Sequence, residues 1–317
     1  MSKRLATDIS SEGSANSAYH AGERAVQAAA GVRDRAEQLG RMFRPFMVDA
    51  HREFFEHLPF VLVGSLDAAG QPWASMLIGE PGFMRAPDPE TLLIFAQPAA
   101  DDPLSGAIRE HAAIGLLGIE PQHRRRNRVN GHVQEVGTRG FSVQVDQAYG
   151  NCPKYITPRR PNRDSEAPQP SAASSETSRL SEAAIACIVA ADTCFIASAS
   201  SRDTPEGDRR EGVDVSHRGG APGFVQVAQE PSGTRLWMPD YPGNNAFNTF
   251  GNIASYPKAG LLFPNFETGD VLQLTCDAEL HFEGTELERF PGAQRLASFN
   301  VQSGRYVPRF MPFRWQQ

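Results

Sequence analysis

The chain has 317 residues, 40 % hydrophobic and 21 % charged, an ordinary globular balance in a length that exceeds one usual core. Its net charge of −6 argues against a general nucleic-acid binder, and no apolar run approaches the roughly 20 residues of a membrane-spanning helix. Cys152, Cys187, Cys194 and Cys276 form no CxxC pair, so reduced thiols are expected, with no zinc site or other metal ligand set. The opening "MSKRLATDISSEGS" has no apolar signal core, which predicts a cytoplasmic location.

In chain order, residues 21–44 are rich in Ala, Glu, Gln and Arg and predict one or two helices. A third helix is expected at 48–57, where Phe54, Phe55 and Leu58 share a face. "FVLVGSLDAAGQPWASMLIG" then reads as a β-hairpin, and "TLLIFA", "AIGLLGIE", "RVNGHVQEV" and "GFSVQVDQA" as further short strands. Residues 158–181 hold Pro, Ser and charge with little to bury, as a linker or mobile surface loop would. "EAAIACIVAADTCFIASAS" reads as a helix feeding a strand, and the strand pattern resumes in "GVDVSH", "GFVQVA", "RLWMPD", "AGLLFPN" and "VLQLTCDAELHF". "ERFPGAQRLASFNVQSGRYVPRFMPFRW" closes the chain as a looser segment. Strands this short with Gly/Pro turns predict a barrel or sandwich.

The two halves repeat a frame. Ser75 precedes the glycine of Pro81-Gly82-Phe83 by the same spacing that separates Ser216 from the glycine of Pro222-Gly223-Phe224. "AIGLL" at 113–117 matches "KAGLL" at 258–262, and "RVNGHV" then falls on "LQLTCD". Ordered matches inside strand-like contexts predict a duplicated domain. The divisions expected are an N-terminal helical segment over 1–44, a first barrel over 45–157, the linker over 158–181, and a second barrel over 182–317. Where the second copy has Ser216, His217 and Arg218, the first has Ser75, Met76 and Leu77. One copy is equipped for an anion and the other for packing.

Strand alternation in "VDVSHRGG" sends Ser216 and Arg218 to one face and His217 to the other. Arginine's planar fork suits phosphate, and Gly219-Gly220 permits close approach of a ligand or another backbone. "MPDYPGNNAFNTFGNIASYP" follows a strand and predicts a helix starting near Asn245, its N–H groups aimed at the Gly243-Asn244-Asn245 turn. Asn252 lies about two turns along that helix. The combination points to a phosphate cradle, although an exposed strand-end Arg and an Asn-capped turn would each account for one part. In "HRRRNRVNGHV", alternation puts Arg124, Arg126 and Arg128 on one face and Arg125 and Asn127 on the other, facing a ligand or forming a solvated edge.

"DVSHRGGAPGFV" and "MPDYPGNNAFNTFGNIASYPKAGLLF", with "YGNCPKYI", "YHAGE" and "PFRW", resemble the FMN-binding split-barrel proteins related to pyridoxamine 5′-phosphate oxidase. The resemblance implies a mainly β fold of two tandem six-stranded antiparallel Greek-key barrels, with FMN held non-covalently at their junction. It implies that Ser216, His217 and Arg218 line the flavin and reach its phosphate, that Asn244 and Asn245 bind the phosphate, and that Asn252 fixes the helix or touches the ribityl chain. Lys154, Arg126 and Arg128 would reach the site from the first barrel. The single Arg in the phosphate strand and the Gly-Asn-Asn turn depart from the enzymes that oxidise pyridoxamine phosphate. The substrate is therefore expected to differ, with flavin or electron-transfer reductase chemistry as the analogy.

The leading expectation is an FMN-dependent oxidoreductase of small-molecule substrates, with NAD(P)H or a reductase as electron donor. No catalytic residue is assigned; His217 is either the one proton donor near neutral pH or, as the reading preferred without a substrate pose, a satisfied polar residue beside the cofactor. The pairing would be a homodimer or an intrachain pseudo-dimer, with neither membrane nor nucleic acid as partner. The alternative is a non-catalytic flavin or haem carrier, with His20, His217 or His281 as axial ligand, or a partner protein of a redox system.

Overall fold

The computed structural model describes residues 17–164, 166–167, 170–203 and 208–316. Two helices, α1 (Ala21–Ala29) and α2 (Arg33–Gly40), account for the first helical stretch, with Gly31 at φ 68° in the break between them. The start of α1 is capped reciprocally. The His20 Nδ1 accepts from the Gly22 N–H at 3.1 Å, and the Glu23 carboxylate accepts from the His20 N–H at 2.9 Å. Helix α3 (Asp49–Glu56) buries Phe54 and Phe55, as its spacing predicts. The expected segment before residue 17 lies outside the described residues.

Seven strands follow: β1 (Phe60–Leu66), β2 (Pro72–Ile78), β3 (Met84–Asp88), β4 (Thr91–Ile94), β5 (Ala113–Glu120), β6 (Arg125–Gly137) and β7 (Gly140–Gly150), with the short helix α4 (Pro103–Ala107) between β4 and β5. After β8 (Arg160–Arg163), β9 (Ser174–Glu176) and α5 (Glu182–Ala190) the second series is β10 (Thr193–Ala199), β11 (Val213–Gly219), β12 (Gln226–Glu230), β13 (Gly233–Asp240), β14 (Lys258–Pro264), β15 (Val271–His281) and β16 (Arg295–Val307). Helix α6 (Asn248–Ser255) lies between β13 and β14, and β17 (Phe313–Gln316) ends the fold.

The first sheet runs β2-β1-β5-β6-β7-β4-β3 and the second β11-β10-β14-β15-β16-β13-β12, all antiparallel. Renumbered from their own first strands, the two orders are identical, so the fold is a pair of split barrels. Each path has seven strands where six were expected. The extra strand in the first is β3, whose "MRAPD" reads as loop because proline and charge interrupt it. In the second it is β16, hidden in the segment read as loose because polar residues and Gly304 dilute its alternation. The 158–181 stretch is also more ordered than a linker: β8 pairs with β17, and β9 with β16.

Register fixes which residues are mates. Leu117 pairs with Arg128 in the first sheet and Leu262 with Gln273 in the second. Arg128 is therefore the mate of Gln273, one residue from where the "LQLTCD" alignment put it. Ser75 and Ser216, by contrast, are mates as read, opposite Val63 and Ile196.

Each barrel has its own apolar core, one around Phe55, Leu92 and Val143 and one around Ile196, Leu274 and Phe299. A third cluster lies between them, built from Leu62, Met76 and Leu117 of one sheet and Phe195, Val215 and Leu262 of the other. The seam is reciprocal. A β-carbon on Gly115 would lie 2.5 Å from the Val213 carbonyl oxygen, and one on its mate Gly260 2.5 Å from that of Pro72, the mate of Val213. Only glycine lets the backbones approach so closely there.

Candidate functional site

A cavity opens at the junction of the barrels. From the first it is lined by Arg126 and Arg128 of β6 and by Cys152, Lys154 and Tyr155 beyond β7. From the second come Ser216, His217 and Arg218 of β11, Asn244 and Asn245 of the turn, and Asn248 and Thr249 opening α6. Of the nine residues expected at the site, eight line this one cavity; Asn252 lies behind it.

Arg128 joins the halves. It is 2 % exposed, and its guanidinium donates to Asp214 at 2.8 Å, to the Tyr149 hydroxyl at 2.8 Å and to the Val215 carbonyl at 2.9 Å, with a further short bond to Ser216 Oγ. Its Nε faces no protein acceptor among the described residues. Asp214 also accepts from Asn130 at 2.7 Å and from Asn252 at 3.0 Å. Asn252 Oδ1 accepts from His20 Nε2 at 2.9 Å; the donor is assigned because Nδ1 of that ring already accepts from Gly22. The role of Asn252 is thus to tie α6 to β11 and to the cap of α1.

Two other arginines have no carboxylate partner among the described residues. Arg218 bonds only to the His217 carbonyl, at 3.2 Å. Arg126 bonds to the carbonyls of Cys152, at 2.8 Å from Nε, and Lys154. Burial, and then the positive charge of Arg218, push the Arg126 guanidinium down to about 10. Two half-buried guanidiniums, neither ion-paired to a carboxylate among the described residues and with only Asp240, itself paired with Arg295, as a nearby opposite charge, make a site for an anion. Arg124 does not join this row: it sits at φ 50° in the turn before β6, and Arg125 faces away, its guanidinium 4.8 Å over the Phe54 ring. Strand β6 lies between β5 and β7, so the arginines are not on a solvated edge.

Helix α6 starts at Asn248, three residues later than the sequence suggests, because Asn245 and Phe247 both adopt left-handed conformations, with φ 65° and 62°. Asn244 Oδ1 accepts from the Ala246 N–H at 3.1 Å. No side chain caps α6, and Thr249, 1 % exposed, leaves its hydroxyl without a partner at the cavity wall. Free N–H groups, an orphan hydroxyl and two guanidiniums without an ion-pair partner among the described residues converge. Tyr155, Tyr241, Phe224 and Phe247 supply flat apolar surface beside them.

His217 takes the opposite face of β11, as alternation predicts, with its ring 5.6 Å from that of Phe195. Burial, reinforced by Arg126 and Arg218, holds it well below the usual imidazole range. It is neutral at pH 7, which removes the expected role as a proton donor through its charged form. Its Nδ1 lacks a partner. His20 is committed to Gly22 and Asn252, and His281 bonds Ser298 at 2.8 Å. The sequence reading missed Asn248, Thr249, Tyr155 and Arg295. Arg295 pairs with Asp240 at 2.9 Å and stacks on Phe247 at 4.7 Å. Asp214, two residues before Ser216 on the same strand face, was the legible clue to the Arg128 strap.

A paired split barrel with a cationic cavity at its junction is the class of protein these features define. Residues 47–171, which contain the whole first sheet, match the family described as pyridoxamine 5′-phosphate oxidase. The resemblance to that split-barrel family is therefore carried by the first barrel, although the longest recognisable motifs stand in the second. No curated protein matches the sequence. Among solved structures, a proposed pyridoxamine 5′-phosphate oxidase of Lactobacillus delbrueckii is 17 % identical, covering 40 % of this chain and 94 % of its own at a TM-score of 0.29. The haem storage protein HutZ of Vibrio cholerae is 15 % identical, over 41 % of this chain and 95 % of its own, at 0.26. An FAD-binding protein of Mesorhizobium loti is 13 % identical, over 43 % and 99 %, at 0.25. No helix among the described residues is long and apolar enough to cross a membrane.

Proposed function

We propose that the junction cavity binds a flavin monophosphate, FMN, and that the protein is an oxidoreductase acting on a small molecule other than pyridoxamine phosphate. The observation that carries this reading is the pair Arg126 and Arg218, half-buried beside an uncapped helix start and ion-paired to no carboxylate among the described residues. The residues fit the group. Arg218, the Asn244–Asn245 turn and the N–H groups of Asn248 and Thr249 would hold the phosphate, and the orphan Thr249 hydroxyl gains a partner. Arg128 and the aromatic walls would face the ring system, whose redox chemistry the cofactor supplies. The chain's own contribution is to bind, to orient and to exclude water. Neutral His217 packs against Phe195 and holds no transferable charge near pH 7.

The test is the absorption spectrum of the purified protein, with identification of the released chromophore. A flavin monophosphate bound at the cavity, with oxidation of reduced nicotinamide, supports the reading. Haem in the preparation would favour the carrier alternative, with His217, which lines the cavity and has an unpartnered ring nitrogen, as the axial candidate. A colourless protein that takes up no FMN refutes both.

A further inference from the structure

The pseudo-symmetry that pairs the barrels demands a second cavity, and one exists, lined by Met76, Leu77 and Ile78. Strand register makes these the mates of His217, Arg218 and Gly219. At the positions of the first site's three arginines stand Val271 for Arg126, Gln273 for Arg128 and Leu77 for Arg218, while Arg163 and Arg309 line the second cavity from elsewhere. The contact pattern nevertheless persists. As Arg128 donates to Ser216 and to the Val215 carbonyl, so Gln273 Nε2 donates to Ser75 Oγ at 3.1 Å and to the Ala74 carbonyl at 2.9 Å.

One thing has been added. Asp102, 4 % exposed, lines this cavity and places its carboxylate on those same mates. Its Oδ1 accepts from Ser75 Oγ at 2.7 Å and from the Leu104 N–H at 2.9 Å. Its Oδ2 accepts from Gln273 at 3.3 Å and from Arg305, itself 7 % exposed, at 3.1 Å. Arg305 stands where the first site has Tyr149, opposite Gln273 as Tyr149 is opposite Arg128.

We propose that Asp102 is the chain's own anion at the second junction site, so that the protein takes one phosphate-bearing ligand per chain and the pseudo-equivalent site admits a phosphate-class oxyanion only when that carboxylate is removed. The stoichiometry rests on the reading of the first cavity as the phosphate site; the reopening of the second does not. Excising the carboxylate takes the acceptor from the Ser75 hydroxyl and the Leu104 N–H and leaves Arg305, which keeps Asp101 at 2.8 Å and the Gln273 side-chain carbonyl at 2.8 Å, one carboxylate short; groups so exposed recruit an external anion to restore their hydrogen bonds.

The experiment compares Arg218→Ala with Arg218→Ala/Asp102→Ala, so that the first site is equally weakened in both. Inorganic phosphate is titrated by calorimetry and its effect on the melting temperature is followed, with chloride at matched ionic strength as control. The expected result is phosphate affinity about tenfold or more higher in the double variant, rescue of its melting temperature by phosphate alone, and loss of both when Arg305→Gln is added. Equal phosphate effects in the two variants, or a gain that survives Arg305→Gln, overturn the proposal. Should Asp102→Ala not fold, the wild-type stoichiometry decides: two FMN per chain overturns it, and one supports it. A wild type that binds no FMN refutes the first-site reading, whereas the phosphate titration still tests Asp102.

Discussion

Replacing Arg218 by alanine separates a ligand-binding arginine from a structural one. In the folded protein Arg218 makes one hydrogen bond, to the carbonyl of its own neighbour His217 at 3.2 Å, and no ion pair among the described residues. It feels Asp240 as an opposite charge and Arg128 as a like one, and it helps push Arg126 down to about 10. Truncation therefore deletes no internal salt bridge and relieves a repulsion, so the melting temperature of the ligand-free protein should stay level or rise. The loss falls on the ligand. A charge-assisted bond to phosphate contributes roughly 1.5–3 kcal/mol, which weakens FMN binding about 10- to 150-fold. Arg218→Lys should lie between, since it keeps the charge and loses the planar fork. Quenching of flavin fluorescence on titration measures affinity, and thermal denaturation without flavin measures stability. A fall of several degrees in melting temperature with unchanged affinity would refute the reasoning.

Leu77→Ala, at the mate of Arg218, should behave oppositely: Leu77 is 3 % exposed in the first core, so denaturant titration should show a loss of about 2–5 kcal/mol with unaltered flavin affinity of the folded protein. Arg128→Met should cost about 3–5 kcal/mol, because it leaves Asp214 buried without its cation, and adding Asp214→Asn should recover part of that. Glu23, 3 % exposed, is pushed by burial from its ordinary 4.5 up to about 7. The folded state holds this proton more tightly than the unfolded chain, so its contribution is complete below about 4.5, declines as pH rises, and is lost above about 7. The span is worth about 3 kcal/mol, and Glu23→Gln should flatten that part of a stability–pH profile measured by denaturant melts; an unchanged profile would contradict it.

The repeat was legible because turns and seams restrict residue choice. Gly82 and Gly223 both sit at positive φ, 94° and 81°, and Gly115 and Gly260 both lie against the other sheet's backbone. Those demands survive in single letters. Strands β3 and β16 were missed because pairing partners, and not alternation, hold "MRAPD" and "FNVQSGRYV" in place. The grouping of Ser216, Arg218 and Asn244–Asn245 followed from residue type and alternation, whereas Arg126 and Arg128 were brought to the site by the family resemblance. The His20–Asn252–Asp214–Arg128 chain could not, since its members come from four elements and only register brings them together. The position of His217 was legible, but burial and then the neighbouring arginines decide its protonation, and sequence spacing shows neither.

The glycine seam bears on how the halves can diverge. Charge differs across the pseudo-axis, arginine against valine, glutamine and leucine, and all three arginines stand on the wall of the first cavity. At Gly115 or Gly260 even a methyl group would wedge one sheet off the other, and Arg128 would lose its reach to Asp214. The halves are thus free to specialise in what they bind, while neither can drift in how it leans on its sibling.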